Sequence, residues 1–257
     1  MNVLVTGGTG ALGREVVNEL RGSGQRARVL SRKPGTGHDW AQGDLANGKG
    51  LDKALTDMEV VIHAGTAARE PWRLNATDVD GTRRLIDAAK LAGVRHLLFI
   101  SIVGMEGVSY PYYAAKLRAE SLVKEATVPW TILRATQFHT LMETFLKAFA
   151  SLPRIAAIPF AWQFQPVDTR DVAARLVQLA GQEPQGLVPD FGGPEVRTFK
   201  SLADSWLQAR HMTKRVVDFN PPLKFSRQVA AGKLLSPDHK DGKITFEQYL
   251  IRKYGKW

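Results

Sequence analysis

Residues 6–13, Thr6-Gly7-Gly8-Thr9-Gly10-Ala11-Leu12-Gly13, space their glycines as G-x-G-x-x-G from Gly8 and as G-x-x-G-x-x-G from Gly7. The chemistry open to such a run is to hold an anion with main-chain N–H groups. Glycines permit a tight turn, let the backbone approach a pyrophosphate, and let the following helix pack closely, with its N-terminus facing the charge. The string is weak alone, since a glycine-rich turn can also be ligand-free. Here it follows the apolar Asn2–Val5 and opens a helical pattern at Ala11, the strand-turn-helix setting that the chemistry needs. About twenty residues past the last glycine, where a carboxylate would hydrogen-bond the ribose of NAD, the chain has Ser31-Arg32-Lys33. A hydroxyl and a guanidinium pair with a 2′-phosphate, so these residues favour NADP(H) over NAD(H), the alternative being a solvated basic turn. Gly43-Asp44-Leu45 falls at the end of the third expected strand, a place for an adenine-edge contact or for Asp44 to cap a turn.

Other chemistries find little support. With no cysteine among 257 residues there is no disulfide, thiolate metal site or cysteine nucleophile. The six histidines, at 38, 63, 96, 139, 211 and 239, form neither H-E-x-x-H nor any close pair, so no metal site is expected. A G-x-S-x-G elbow is lacking too.

The elements that must position the glycine loop read as short Val/Ile/Leu runs alternating with helical patterns. Asn2–Val5, Ala27–Leu30, Val60–His63, His96–Ile100 and Trp130–Leu133 are expected strands. Leu12, Val16, Val17 and Leu20 recur at helical spacing, and Leu85, Ala88, Ala89 and Ala92 do the same. This alternation predicts an α/β fold, a doubly wound, mainly parallel Rossmann-type sheet with a small C-terminal lobe. The expected division is 1–150 for the dinucleotide-binding part and 151–257 for a substrate lobe that returns one element to the sheet. Net charge is +10, and residues 197–257 hold 13 Lys/Arg against 5 Asp/Glu. That excess is primarily a matter of solubility and steering, and no motif or paired stacking aromatics point to nucleic acid. No apolar stretch reaches the roughly 18 residues of a membrane helix, so a soluble, cytoplasmic protein is expected, of open oligomeric state.

With these motifs, the chain resembles the short-chain dehydrogenase/reductase superfamily, and in particular its atypical, NmrA-like NAD(P)-binding branch. The resemblance also rests on Val61-Ile62-His63-Ala64-Gly65, Asp78-Val79-Asp80-Gly81-Thr82, Phe99-Ile100-Ser101-Ile102-Val103-Gly104, Tyr112-Tyr113-Ala114-Ala115-Lys116 and Trp130-Thr131-Ile132-Leu133-Arg134. It implies cofactor contacts at Gly7, Thr9, Gly10, Ala11, Leu12, Gly13, Ser31, Arg32, Lys33, Asp44, Leu45, Ala64, Gly65 and Lys116, and near the nicotinamide at Thr136 and Phe138. It also implies a tyrosine four residues before a lysine that protonates a carbonyl while nicotinamide supplies hydride. Tyr112 and Lys116 fit, since i and i+4 share a helical face and an ammonium favours the phenolate. Tyr249 and Lys253 share the spacing, but only Tyr112 follows the fifth strand. Ser101 stands where relatives carry a serine pair, yet Ile102 replaces the second, which polarises the carbonyl; a one-residue shift along a strand reverses the face.

On the substrate side, Leu141, Met142, Phe145, Phe149, Phe160, Trp162 and Phe164 either line an apolar cavity or form ordinary core. His139 either assists proton transfer or packs. The expectation is an NADP-dependent oxidoreductase reducing a quinone or other carbonyl, a small-molecule substrate of apolar or aromatic character. The alternative is a non-catalytic NAD(P)-binding redox sensor, and fold alone does not choose between them.

Overall fold

The computed structural model describes residues 1–37 and 39–256. His38 lies outside the described residues. The elements run β1 (Asn2–Thr6), α1 (Ala11–Gly22), β2 (Arg26–Ser31), β3 (Trp40–Gln42), α2 (Leu51–Leu55), β4 (Val60–His63), α3 (Asp80–Leu91) and β5 (His96–Ile102). They continue through α4 (Pro111–Lys124), β6 (Trp130–Ala135), α5 (His139–Phe149), β7 (Ile155–Ile158), β8 (Gln163–Phe164), α6 (Thr169–Ala180), β9 (Gly186–Leu187) and β10 (Arg197–Thr198). The last are α7 (Phe199–Ala209), β11 (Arg215–Asp218), α8 (Lys224–Ala230) and α9 (Phe246–Tyr254).

These elements group into two compact units. One comprises Met1–Ser101, Pro111–Arg134 and Val172–Pro189; the other comprises Ile102–Tyr110, Ala135–Asp171 and Asp190–Trp257. The units thus interleave along the chain instead of dividing once near residue 150. The physical reason is that residues 172–189, carrying most of α6 and all of β9, pack with the first unit.

The first unit is built on a seven-stranded sheet in the order β3-β2-β1-β4-β5-β6-β9. Its β1–β2, β1–β4, β2–β3, β4–β5 and β6–β9 pairs are all parallel, the doubly wound architecture expected from the sequence. Val3, Leu4, Val5, Val60, Val61 and Ile62 are fully buried, as befits central parallel strands covered on both faces, which read as continuous apolar runs. Helices α2, α3 and α4 lay Leu55, Leu85, Ala89, Ala119 and Val123 against Leu4, Val61, Leu97, Phe99 and Ile132 in one core cluster. Each large side chain so buried contributes on the order of 1.5–3 kcal/mol relative to exposure. Helix α1 buries Leu12, Val16, Val17 and Leu20, the stripe its spacing predicts. The strand order reverses between β1 and β4, so their carboxyl ends part and leave a crevice, the place where open α/β sheets take ligands.

The second unit holds a parallel β7–β11 pair and an antiparallel β8–β10 pair. Its interior is aromatic: Trp162, Phe164 and Phe199 are buried, with ring centroids 5.5–6.1 Å apart. Met142 is fully buried, Phe149 stands edge-on to Trp162 at 5.7 Å, and Leu141 is exposed. The apolar stretch that could have lined a cavity therefore contributes core at Met142, Trp162 and Phe164. Helix α9 begins with a capping box between Thr245 and Gln248. It is anchored by the buried carboxylate of Glu143, which accepts from Tyr249 Oη at 2.7 Å, Lys147 Nζ at 2.9 Å, and also Lys253 and Tyr254. Tyr249 and Lys253 thus serve this anchor. No helix among the described residues is long and apolar enough to cross a membrane.

Candidate functional site

The crevice at the ends of β1 and β4 is an open cleft of about 200 Å3 within the first unit. Its floor is the glycine loop. Gly7 takes a left-handed φ of 66°, and a Cβ there would stand 2.6 Å from the Ala64 carbonyl oxygen. A Cβ on Gly13 would meet Gly7 O at 2.1 Å, so this glycine is what lets α1 start hard against the turn. Gly10, the N-cap of α1, has no side chain to satisfy the helix's first N–H groups, and no acidic residue occupies the first turn. Helix starts leave such donors without intrahelical acceptors, and their dipole favours an anion. The cradle therefore fits a dinucleotide diphosphate.

A polar chain beneath the loop fixes the two strand ends. Gly65 N donates to Thr6 Oγ1 at 3.0 Å, and Thr6 Oγ1 lies 2.7 Å from His63 Nδ1. His63 Nε2 lies 2.9 Å from Thr82 Oγ1, which donates to the Asp78 carbonyl at 2.6 Å. Only one proton order satisfies this chain: Thr6 donates to Nδ1, and the Nε2–H tautomer of His63 donates to Thr82. Burial, reinforced by the charge of Lys116, pushes His63 down to about 3, so the ring stays neutral and structural.

Of the expected cofactor contacts, Gly7, Thr9, Gly10, Ser31, Arg32, Asp44, Leu45, Ala64 and Gly65 line the cleft, joined by Thr66 and Glu70. Ala11 is exposed at the helix start, while Leu12 and Gly13 are buried in its packing. Ser31 is buried and its Oγ accepts from Lys33 N at 3.2 Å, which leaves the hydroxyl proton free to donate. Arg32 is ion-paired with Glu70 at 2.8 Å, and the carboxylate holds the guanidinium pKa above its ordinary value. Asp44 accepts from Ala46 N at 3.0 Å, as a turn cap does, and pairs with Arg73 at 3.0 Å.

Helix α4 carries Tyr112 and Lys116 on one face. Tyr112, half-buried, brings its hydroxyl to 3.5 Å from Thr66 Oγ1, so it lies beside a residue that lines the cleft. Thr66 in turn donates to Asp78 Oδ1 at 2.6 Å, and Asp78 Oδ2 accepts from Ala67 N at 2.8 Å. The carboxylate is delivered by a π-helical turn at Asn75–Val79, just before α3. Lys116 is 4% exposed, with Nζ 4.1 Å from the Phe99 ring centre. Burial lowers its pKa to about 8 against the opposing pull of Asp78 and Glu120. Among the described residues no acceptor is within hydrogen-bond reach of this ammonium.

Ser101 is buried and donates to Glu120 Oε2 at 2.7 Å. Although burial opposes its ionisation, Glu120 is held below the usual carboxylate range by Arg134, Lys124 and Ser101. The serine is thus part of a buried ionic cluster. In the second unit, Thr136 is buried and its Oγ1 accepts from Gly193 N at 3.1 Å, while Phe138 is the N-cap of α5. His139 is buried between the rings of Phe246 and Tyr249, with Nε2 3.0 Å from Ile244 O. That is a packing role. No metal-holding cluster of His, Asp or Glu occurs among the described residues. Sequence reasoning missed Thr66, Glu70 and Arg73 and gave Asp78 no role; only the last carried a signal, as part of a motif.

Residues 7–151 match the family model described as NAD(P)H-binding. The chain belongs to this family. Among its relatives in the NAD(P)H-binding family are named reductases. It is 32% identical over 205 residues to the (4-alkanoyl-5-oxo-2,5-dihydrofuran-3-yl)methyl phosphate reductase of Streptomyces griseus, covering 76% of this chain and 69% of that one. It is 33% identical over 147 residues to the photosystem II assembly factor Ycf39 of Cyanophora paradoxa, covering 54% of this chain and under half, 46%, of that protein. Among solved structures, a short-chain dehydrogenase/reductase superfamily protein from Agrobacterium tumefaciens with bound NAD shares the fold at a TM-score of 0.75 and 23% identity, covering 99% and 96% of the two chains.

Proposed function

We propose that this NAD(P)H-binding protein is an NADP-dependent reductase of a small carbonyl compound, a quinone or ketone, with Tyr112 as proton donor. The observation that carries the reading is the position of Tyr112 Oη, 3.5 Å from Thr66 Oγ1 at the edge of the cleft over the glycine loop, with the buried, acceptor-less Lys116 one helical turn away. The reduced nicotinamide, when bound, supplies hydride. The chain's own residues do the rest. Main-chain N–H groups around Gly10 hold the diphosphate, and Ser31, Arg32 and Lys33 offer donors to a 2′-phosphate. Lys116 Nζ is positioned to take ribose hydroxyls as the acceptors it lacks, and its charge favours the phenolate of Tyr112 as the proton leaves for the substrate oxygen. Hydrogen-bonded to Asp78, Thr66 keeps an oxygen beside Tyr112 that orients the phenol. The test is loss of NADPH absorbance in stopped flow against a panel of quinones and ketones. Tyr112→Phe is expected to slow turnover about 10²- to 10⁴-fold while leaving the cofactor Kd unchanged. Tight NADPH binding with no turnover on any acceptor speaks against the reading.

A second reading, a non-catalytic dinucleotide sensor, is favoured by the capture of Ser101 by Glu120 and by the likeness to a photosystem II assembly factor. If Tyr112→Phe leaves cellular function intact while Gly10→Asp abolishes it, the sensor reading prevails.

A further inference from the structure

The reading above leaves the carboxylate of Glu70 unused. Arg32, at the end of β2 where a 2′-phosphate would need it, already holds an anion: Nη2 lies 2.8 Å from Glu70 Oε1 and Nη1 lies 3.3 Å from Oε2, a bidentate pair. Glu70 arrives from the segment after β4 and lines the same cleft. Its Oε2 also lies 3.4 Å from Arg73 Nη1, and Arg73 Nη2 donates to Asp44 Oδ2 at 3.0 Å. Two cations and two anions thus alternate along the cleft, and their charges cancel.

We propose that Glu70 is a cofactor-specificity residue that stands in for the 2′-phosphate. Paired with Arg32, it offers a carboxylate to the ribose hydroxyls of NAD(H); a 2′-phosphate takes Arg32 and leaves Glu70 to Arg73. This inference rests on the dinucleotide reading above. Three observations make the exchange feasible. Arg32 and Glu70 side chains are 52% and 31% exposed, so the displaced groups stay hydrated. Arg73 already touches Glu70, so the carboxylate keeps a partner after the exchange. Lys33 follows Arg32 in the chain and has no carboxylate within ion-pair distance among the described residues, so no second anion competes there with a phosphate. A phosphate monoester carries more charge and more acceptor oxygens than a carboxylate, so it wins the guanidinium, but by less than it would against an empty one. The chain therefore accepts both cofactors, with NADP(H) preferred modestly.

The test is calorimetric titration of the full chain at fixed low ionic strength with NADPH, NADH, adenosine 2′,5′-bisphosphate and 5′-ADP. Glu70→Gln is expected to tighten NADPH and the bisphosphate about two- to fivefold, the scale of an exposed ion pair, while NADH and 5′-ADP weaken or stay. Arg73→Ala removes the carboxylate's second partner and is expected to weaken NADPH by a similar factor without moving NADH. A merely structural Glu70 would move both cofactors together. If the wild type binds both dinucleotides and Glu70→Gln leaves their ratio unchanged, this inference alone is overturned. If the wild type binds none of the four ligands, the dinucleotide reading falls and takes the inference with it.

Discussion

Replacing Lys116 with methionine, a side chain of similar length without the charge, is expected to stabilise the protein at neutral pH. Burial lowers the Lys116 pKa from the usual 10.5 to about 8. At about 1.4 kcal/mol per pH unit, keeping the ammonium in place costs the folded state about 3 kcal/mol wherever it is charged in both states. The attraction to the Phe99 ring at 4.1 Å offsets roughly 0.5–2 kcal/mol of this. A gain of about 1–3 kcal/mol is therefore expected for Lys116→Met. The folded pKa is the lower one, so between about 8 and 10.5 the unfolded chain binds a proton the folded chain has released, and wild-type stability climbs through that window. The advantage of the variant is accordingly full below pH 8 and fades by pH 10. Urea unfolding of both proteins at pH 7 and pH 10, followed by fluorescence, measures it. A variant no more stable than wild type at pH 7, or a gain that does not shrink at pH 10, refutes the picture of a costly charge kept for a ligand. A stabilised variant that has also lost affinity for dinucleotide is the trade expected when strain is stored at a functional site.

Other outcomes follow from the same geometry. Gly10 has an ordinary φ of −77°, and a Cβ there meets only Gly7 O at 3.1 Å, so Gly10→Asp is expected to keep its circular dichroism spectrum. Its carboxylate at the helix start should weaken dinucleotide binding at least about a hundredfold, read by calorimetry. Burial opposes the charge of Glu143, but Lys253, Tyr254, Tyr249 and Lys147 lower its pKa to about 2. Its folded value is the depressed one, so its stabilisation is present above the ordinary carboxylate pKa and lost as pH falls from about 4.5 through about 2. Glu143→Gln should cost about 2 kcal/mol or more at pH 7 and lose that acid-dependent component, checked by thermal unfolding across the pH range.

What was legible in the sequence is what local spacing dictates. The glycine loop is contiguous, and its strand and helix carry periodic apolar residues, so the Rossmann sheet and the loop that opens α1 could be placed without coordinates. The pairing of Tyr112 with Lys116 was equally local, since one helical turn sets it. The aromatic stretch from Leu141 to Phe164 was not decidable, because a ring that packs on another ring has the same spacing as one that lines a void. Trp162 and Phe164 are core in part because Phe199, from a helix far along the chain, closes on both.

The charges at the cleft teach the harder lesson. Ser31-Arg32-Lys33 reads as an electropositive patch because a sequence shows a residue's chain neighbours and hides its spatial ones. Glu70, 38 residues away, answers Arg32, and Glu120, 19 residues away, accepts the hydrogen bond of Ser101. Glu70 comes from the irregular segment after β4, whose path no periodicity predicts, and Glu120 comes from α4, whose helix is periodic but whose packing against β5 is not written in its own spacing. A carboxylate beside a guanidinium alters what that guanidinium can bind far more than the identity of the adjacent Lys33 does, since an opposite charge at 2.8 Å acts before any ligand arrives. On the proposal made above, cofactor preference would be a competition between two anions for one arginine. Counting basic residues at the end of β2 measures only one side of it.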